Sequence, residues 1–293
     1  MSKSRPARTR SGRHRRWLIA AAVIAAVALA FVAYSFAETY RVEVKEYTYA
    51  GPDVPPAFDG ARIVLLTDVH RSFFFSQKRV GQLVDRANAM APDLVVLGGD
   101  YVYGDKTYEQ SAFDELARLE APLGIFAVLG NHDYAHPAGG GNDPAPALKA
   151  IAGAKITLLD NSGVWIESSG QRFRLAGVSD LQQGHPRAES GLEGTTPDDL
   201  VVLVSHEPDF AEELQPGWVD LMLSGHTHAG QLTFFGRWAP VVGSMYGQKY
   251  RTGMVTSGKT TVIVSNGVGT IFPPLRFFAR PQIVVITLKK TGS

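Results

Sequence analysis

The hydrophobic and polar positions fall into three rhythms along the chain. Trp17 to Phe36 is a 20-residue run of apolar and small residues without one charge. As a helix it would be about 30 Å long, the thickness of a bilayer's hydrocarbon core. From Arg62 onward, short apolar runs alternate with amphipathic segments. Arg62-Ile63-Val64-Leu65-Leu66 reads as a buried strand feeding the loop Thr67-Asp68-Val69-His70. Gln77 to Met90 places Val80, Leu83, Val84 and Ala87 at helical spacing and stops before Pro92. Leu94 to Leu97 is the next strand, closed by Gly98-Gly99-Asp100. A helix is predicted over 109–119 and a strand over 124–129, closed by Gly130-Asn131-His132-Asp133. Strand–helix–strand order predicts parallel βαβ units, with a site at the C-terminal edge of the strands.

The third rhythm begins past residue 155. Strands are predicted at 156–159, 164–166, 172–175, 200–204, 221–223, 261–264 and 283–288, with few helices between them. A second, partly antiparallel sheet should therefore pack on the first. The fold class is α/β, turning α+β in the second half: a two-sheet β-sandwich flanked by helices and preceded by one N-terminal transmembrane helix. Residues 139–141 and 182–197 read as loops. The stretch 37–59 reads as a linker, with an alternating run from Arg41 to Tyr49 as a possible edge strand. The expected division is a basic tail over 1–16, an anchor over 17–36, that linker, one domain over 60–288 and a short tail over 289–293.

Charge adds direction. The first 16 residues hold seven Lys or Arg and no acid, leaving 22 bases against 28 acids in the rest. Basic residues on one flank of the apolar run put the tail in the cytoplasm and the body outside it. A retained anchor is favoured, because the run exceeds the 7–15 apolar residues usual in a signal peptide. Ser35-Phe36-Ala37 leaves a cleaved export signal open, and a buried core helix is the third reading. An acidic body argues against nucleic acid as a partner. The absence of cysteine excludes disulfides, thiolate metal sites and a cysteine nucleophile.

The polar residues at the strand ends are Asp68 and His70, then Asp100, Asn131 and His132, then His206, then His226 and His228. Carboxylate, imidazole and amide oxygen together suit a borderline divalent ion such as Mn, Fe or Zn. Eight such groups exceed the needs of one ion and point to two.

The ordered set Asp68-x-His70, Gly99-Asp100, Gly130-Asn131-His132-Asp133, Ser205-His206 and Gly225-His226-Thr227-His228 resembles the calcineurin-like metallophosphoesterase superfamily over about residues 60–288. Ser205-His206-Glu207-Pro208-Asp209 and the ending Ser265-Asn266-Gly267-Val268-Gly269 are similar to a narrower branch, the membrane-anchored or exported bacterial phosphoesterases of the YkuE and YaeI kind. The resemblance implies that Asp68, His70 and His228 bind one metal ion, that Asn131, His206 and His226 bind another, and that Asp100 bridges them. It implies His132 as a catalytic group at the substrate, with Asp133 orienting it or capping the next turn. It implies hydrolysis of a phosphodiester or pyrophosphate. Some relatives hydrolyse UDP-2,3-diacylglucosamine in lipid A synthesis, so a lipid-linked envelope substrate is the narrowest expectation. An extracytoplasmic phosphodiesterase acting on another lipid or wall polymer is the alternative, and a non-catalytic binding module the remote one. This chain departs from the family pattern at Ser72 and Ala229, where glycine is frequent.

Several residues carry a plain and a functional reading together. Arg71 is a solvated loop arginine or a substrate contact. Phe73, Phe74 and Phe75 are core, or a lipid-contacting lip at the mouth of the site. Phe272, Leu275, Phe277 and Phe278, mixed with Arg276 and Arg280, suit a bilayer interface with anionic headgroups. Asp93, Asp160 and Asp180 read as ordinary turn acids. His14, His136 and His185 have no expected role.

Overall fold

The computed structural model describes residues 10–134 and 143–292. The start of the basic tail, His136 and the 139–141 glycine run lie outside the described residues. Helix α1 (Arg10–Glu38) carries the apolar run. It is long and apolar enough to cross a membrane, and from His14 its side chains are exposed until the last turns. That exposure sets aside the buried core helix.

Two six-stranded sheets face each other. Along the chain come β1 (Glu43–Gly51), β2 (Arg62–Leu66), α2 (Gln77–Asn88), β3 (Leu94–Leu97), α3 (Glu109–Leu116), β4 (Ile125–Ala127), α4 (Asn131–Tyr134), α5 (Ala145–Gly153) and β5 (Thr157–Leu158). Then follow β6 (Ser162–Ser168), β7 (Gln171–Gly177), α6 (Ala188–Gly191), β8 (Val201–Val204), β9 (Leu221–Ser224), β10 (Gly253–Ser257), β11 (Thr260–Val264) and β12 (Gln282–Lys290). The first sheet runs β1-β12-β2-β3-β4-β5 and the second β10-β11-β9-β8-β7-β6. Strands β2 to β5 are mutually parallel, as are β7, β8, β9 and β11.

The continuous apolar runs follow from this layering. Both faces of each sheet are covered, so successive residues are buried in opposite layers. Ile63 and Leu65 enter the core between the sheets with Val202, Val204, Leu221 and Leu223. Val64 and Leu66 face outward beneath α2 and α3, where Val80, Leu83, Phe113 and Leu116 cover them. The parallel strands then all deliver their following loops to one edge.

Within the stretch from 37 to 59 the alternating run forms the edge strand β1, paired in parallel with β12 from Glu43↔Gln282 to Gly51↔Lys290. The helix end is also fastened. Ser35, Glu38 and Thr39 are buried. The Glu38 carboxylate accepts from the Ala279 backbone N–H at 2.8 Å, and the Ser35 carbonyl accepts from Arg276 N–H at 2.9 Å. Arg79 donates to the Thr39 carbonyl at 2.6 Å and lies 4.1 Å over the Tyr40 ring. Helix α1 is continuous with the domain.

Candidate active site

The loops after β2, β3, β4, β8 and β9 converge. Asp68, His70, Asp100, His206 and His228 are buried, while Asn131, His132 and His226 are half-buried at the cleft. Two groups of side chains offer converging donor atoms: Asp68, His70 and His228 in one, Asp68, Asp100 and His206 in the other. His70 Nε2 lies 3.0 Å from His228 Nε2, and His228 Nε2 lies 3.4 Å from Asp68 Oδ1. Donors shared by one ion stand about 3–3.5 Å apart when each is about 2.1 Å from it. Asp100 Oδ2 faces both halves, 3.5 Å from His70 Nε2 and 3.2 Å from His206 Nε2. His226 Nδ1 and Asn131 Oδ1 lie 3.1 Å apart at the cleft side. Asp68 thus reaches both groups, a sharing that the family resemblance implies for Asp100 alone.

The residues fit divalent cations. His206 Nδ1 hydrogen-bonds the Gly98 carbonyl at 2.7 Å, which fixes the ring and leaves Nε2, buried and without a hydrogen-bond partner, aimed at Asp100. Burial pushes His70 down to about 3 and His226 down to about 4. Their imidazoles are neutral at physiological pH, the form a metal ion requires. Burial pushes Asp68 up to about 6. Burial opposes a charge on His206 too, but the neighbouring Asp100 carboxylate overrides it and raises the ring well above the usual histidine range. Asp100 therefore favours a positive charge at the His206 position.

Backbone strain marks the same loops. Asp68, His70, Asp100, His226 and His228 all have φ between 47° and 67°, a left-handed region costly for non-glycine residues. Gly99 has φ 91°, and a Cβ there would sit 2.5 Å from Gly130 N. At Gly225 a Cβ would sit 2.4 Å from Asp68 Oδ2, so the glycine lets the β9 loop lie against that carboxylate.

A calcineurin-like phosphoesterase family model matches residues 61–230, which span these loops up to His228. The chain belongs to the calcineurin-like phosphoesterase family. It is therefore a metal-dependent phosphohydrolase. The metallophosphoesterase YkuE of Bacillus subtilis (strain 168) is 34% identical over 88% of this chain and 89% of its own. The phosphodiesterase YaeI of Escherichia coli (strain K12) is 32% identical over 78% of this chain and 82% of its own. A transmembrane protein with metallophosphoesterase domain from Danio rerio is 30% identical over 81% of this chain, which spans 55% of that protein.

Other residues of this phosphoesterase support the cluster from behind. His132 N–H donates to Asp100 Oδ1 at 2.8 Å, and its ring stands at the cleft, 5.2 Å from the His70 ring. Asp133 does not orient that ring. Its buried carboxylate accepts from the backbone N–H groups of Gly130, Asp100 and Tyr101 at 2.8, 2.8 and 2.9 Å, tying the β3 and β4 loops together. Burial pushes it up to about 7. It is a positioning residue. Lys106 completes the clamp by donating to the His132 and Asp133 carbonyls.

Arg276 was misread by composition. It is fully buried, not at a headgroup surface. Its guanidinium lies 3.1 Å from His228 Nδ1 and donates to the carbonyls of Asn266 and Gly269, both at 2.7 Å. One residue thus links the end of α1 to the cluster: its backbone N–H holds the Ser35 carbonyl and its guanidinium meets His228. Arg71 also turns away from the cleft. It donates to the Ser72 and Phe75 carbonyls and stacks 4.1 Å over Tyr108.

The three phenylalanines separate. Phe75 is 2% exposed in the core beneath α2, whereas Phe73 is 81% and Phe74 44% exposed. Phe75→Ser should therefore cost about 3–5 kcal/mol of stability, the range for emptying a buried aromatic site. Phe73→Ser should stay within about 0.5 kcal/mol. Thermal unfolding of the two variants checks this.

Asp180, read as a turn acid, is buried beside Glu207 and His226. Its Oδ1 accepts from the Gln182 and Gln183 N–H groups, and Gln182 reaches His226 Nε2 at 3.1 Å. Burial, with the Glu207 carboxylate adding to it, raises its carboxyl to about 8. The folded state thus holds this proton more tightly than the unfolded chain. Its contribution is present at low pH and is lost as pH rises to about 8. Asp180→Asn keeps the turn acceptor and removes the titration. The variant's melting temperature should fall less than the parent's between pH 5 and 8, as read by paired thermal melts.

Proposed function

We propose that this phosphoesterase holds two divalent ions and hydrolyses a phosphodiester or pyrophosphate bond in a lipid-linked molecule of the cell envelope. The observation that carries the two-ion reading is Asp100 Oδ2, set between His70 Nε2 and His206 Nε2. In this reading Asp68, His70 and His228 hold one ion, Asn131, His206 and His226 the other, and Asp100 serves both. Bound there, the ions would lower the pKa of a water and neutralise phosphate oxygens during in-line attack. His132, held by its backbone N–H on Asp100 with its ring at the cleft, donates a hydrogen bond to a phosphoryl oxygen or a proton to the leaving alkoxide. Asp133, Lys106 and Arg276 fix the geometry and touch no substrate.

Diester chemistry is supported by the name YaeI carries. The lipid-linked substrate is supported by the apolar helix fastened to the domain. The basic tail favours a catalytic domain outside the cytoplasm, and with it an extracytoplasmic lipid or wall polymer over the cytosolic nucleotide UDP-2,3-diacylglucosamine. The test is a hydrolysis screen of the metal-loaded full chain in detergent, using an aryl monoester, an aryl diester, long-chain phospholipids and UDP-diacylglucosamine. Turnover of the aryl diester and one lipid is expected. Turnover of the aryl monoester alone would overturn the diester reading. A phosphatase-reporter fusion at the C-terminus decides the side.

A further inference from the structure

We infer that the loops around the cleft form a second membrane-contact surface, which seats the mouth of the active site in the headgroup layer of the leaflet where the anchor ends. The argument starts from the fastening of α1. Phe277 packs against Phe31 at 4.8 Å between ring centroids, and Phe278 against Tyr34 at 5.7 Å. Phe31 lies five residues inside the end of the charge-free run at Phe36. At about 1.5 Å per residue, that is roughly 7 Å below the hydrocarbon boundary when the helix spans the bilayer. A side chain packed there cannot stand clear of the membrane, and the hydrogen bonds at Ser35 and Glu38 leave no slack to lift the domain away.

The neighbouring surface has the matching chemistry. Phe235 packs on Phe278 at 5.2 Å, and Phe234 on Trp238 at 6.0 Å. Phe234, Phe235, Trp238, Met245 and Phe272 are between 48% and 93% exposed. An apolar patch of this kind marks a contact surface, and tryptophan with an adjacent cation (here exposed Arg237) suits a headgroup layer. The patch is continuous with the cleft. A cavity of about 330 Å³ reaches from Asp100, His132 and His228 to an apolar wall of Leu232, Pro240, Val241, Ile271 and Pro273. Val241 and Phe272 belong to the same two segments as that wall and are about 70% exposed. A phosphoester in the leaflet would enter sideways, its acyl chain following the wall. This step rests on the proposed lipid-linked substrate; the membrane contact does not.

The cysteine-free chain makes the test direct. Single substitutions Phe235→Cys, Met245→Cys and Phe272→Cys would carry nitroxide labels in the full chain, reconstituted in phosphatidylethanolamine–phosphatidylglycerol vesicles. Ser169→Cys and Lys259→Cys serve as references. They lie in the β6–β7 and β10–β11 turns, at the strand ends opposite the site. The first three labels should show several-fold lower accessibility to a water-soluble nickel chelate than the references, with raised oxygen accessibility. Equal nickel accessibility at all five would overturn the membrane contact. Phe234→Ser, Phe235→Ser and Trp238→Ser combined should cut hydrolysis of a vesicle phospholipid about tenfold or more and leave a soluble aryl diester unchanged. Equal loss on both would overturn sideways entry. Inactivity of the parent chain on every lipid would overturn the proposed substrate, while the depth profile still decides the contact.

Discussion

Asp100→Asn should abolish turnover and empty at least one ion position. An amide oxygen carries no net charge, so it cannot offset the repulsion between two cations held about 3.5–4 Å apart. Asn can still accept the His132 N–H through Oδ1, so the loop contact at 2.8 Å survives and the loss is specific to charge. Even an outer partner of a metal ligand is worth about 10–100-fold in affinity or activity. A shared ligand should exceed that, and we expect a rate loss above about 10³-fold. Metal analysis by mass spectrometry, with single-turnover rates, checks it. Two retained ions and a near-parental rate would sink the shared-carboxylate assignment.

His132→Ala should give the opposite pattern. Both ions stay, and the rate falls by about 10²–10⁴-fold, the range for general acid–base help. The ring is half-buried at the cleft, and it is the backbone N–H of His132 that contacts Asp100, so alanine keeps that contact. The loss should shrink on esters with good leaving groups, which need little protonation. A fall in metal content instead would make His132 a ligand. Arg276 predicts a useful contrast here: replacing its side chain should disturb His228 while its backbone N–H keeps the Ser35 carbonyl.

The strand-end chemistry was legible because parallel strands buried on both faces read as unbroken apolar runs, and each run ended in a polar cluster. The parallel strands of the two facing sheets then bring Asp68, Asp100, Asn131, His206 and His226 to one edge. What stayed hidden depends on partners distant in sequence. Ser35 and Glu38 meet Arg276 and Ala279 across some 240 residues, and no local pattern announces such a pairing. Arg276 resembled its exposed neighbours in composition, yet it is the largest fully buried side chain among the described residues. Helix α5 opens on Pro144-Ala145-Pro146 and is Ala-rich, so it carried little apolar periodicity. Strand β10 is only partly buried at a sheet edge, where the apolar signal is weak. Asp133 looked catalytic because it adjoins His132 in sequence, but adjacent residues on a helix turn point different ways.

The place of β12 between β1 and β2 has a consequence for biogenesis. The strand that comes last among the described elements is the hydrogen-bonded partner of the two that come first. Until residues 282–290 have emerged, β1 lacks its partner and β2 one of its two. Both expose backbone donors and acceptors, the kind of open edge that recruits wrong partners. Pairing across such a sequence separation is slow to form. An emerging chain therefore waits with a gap in its first sheet until residues 282–290 can pair.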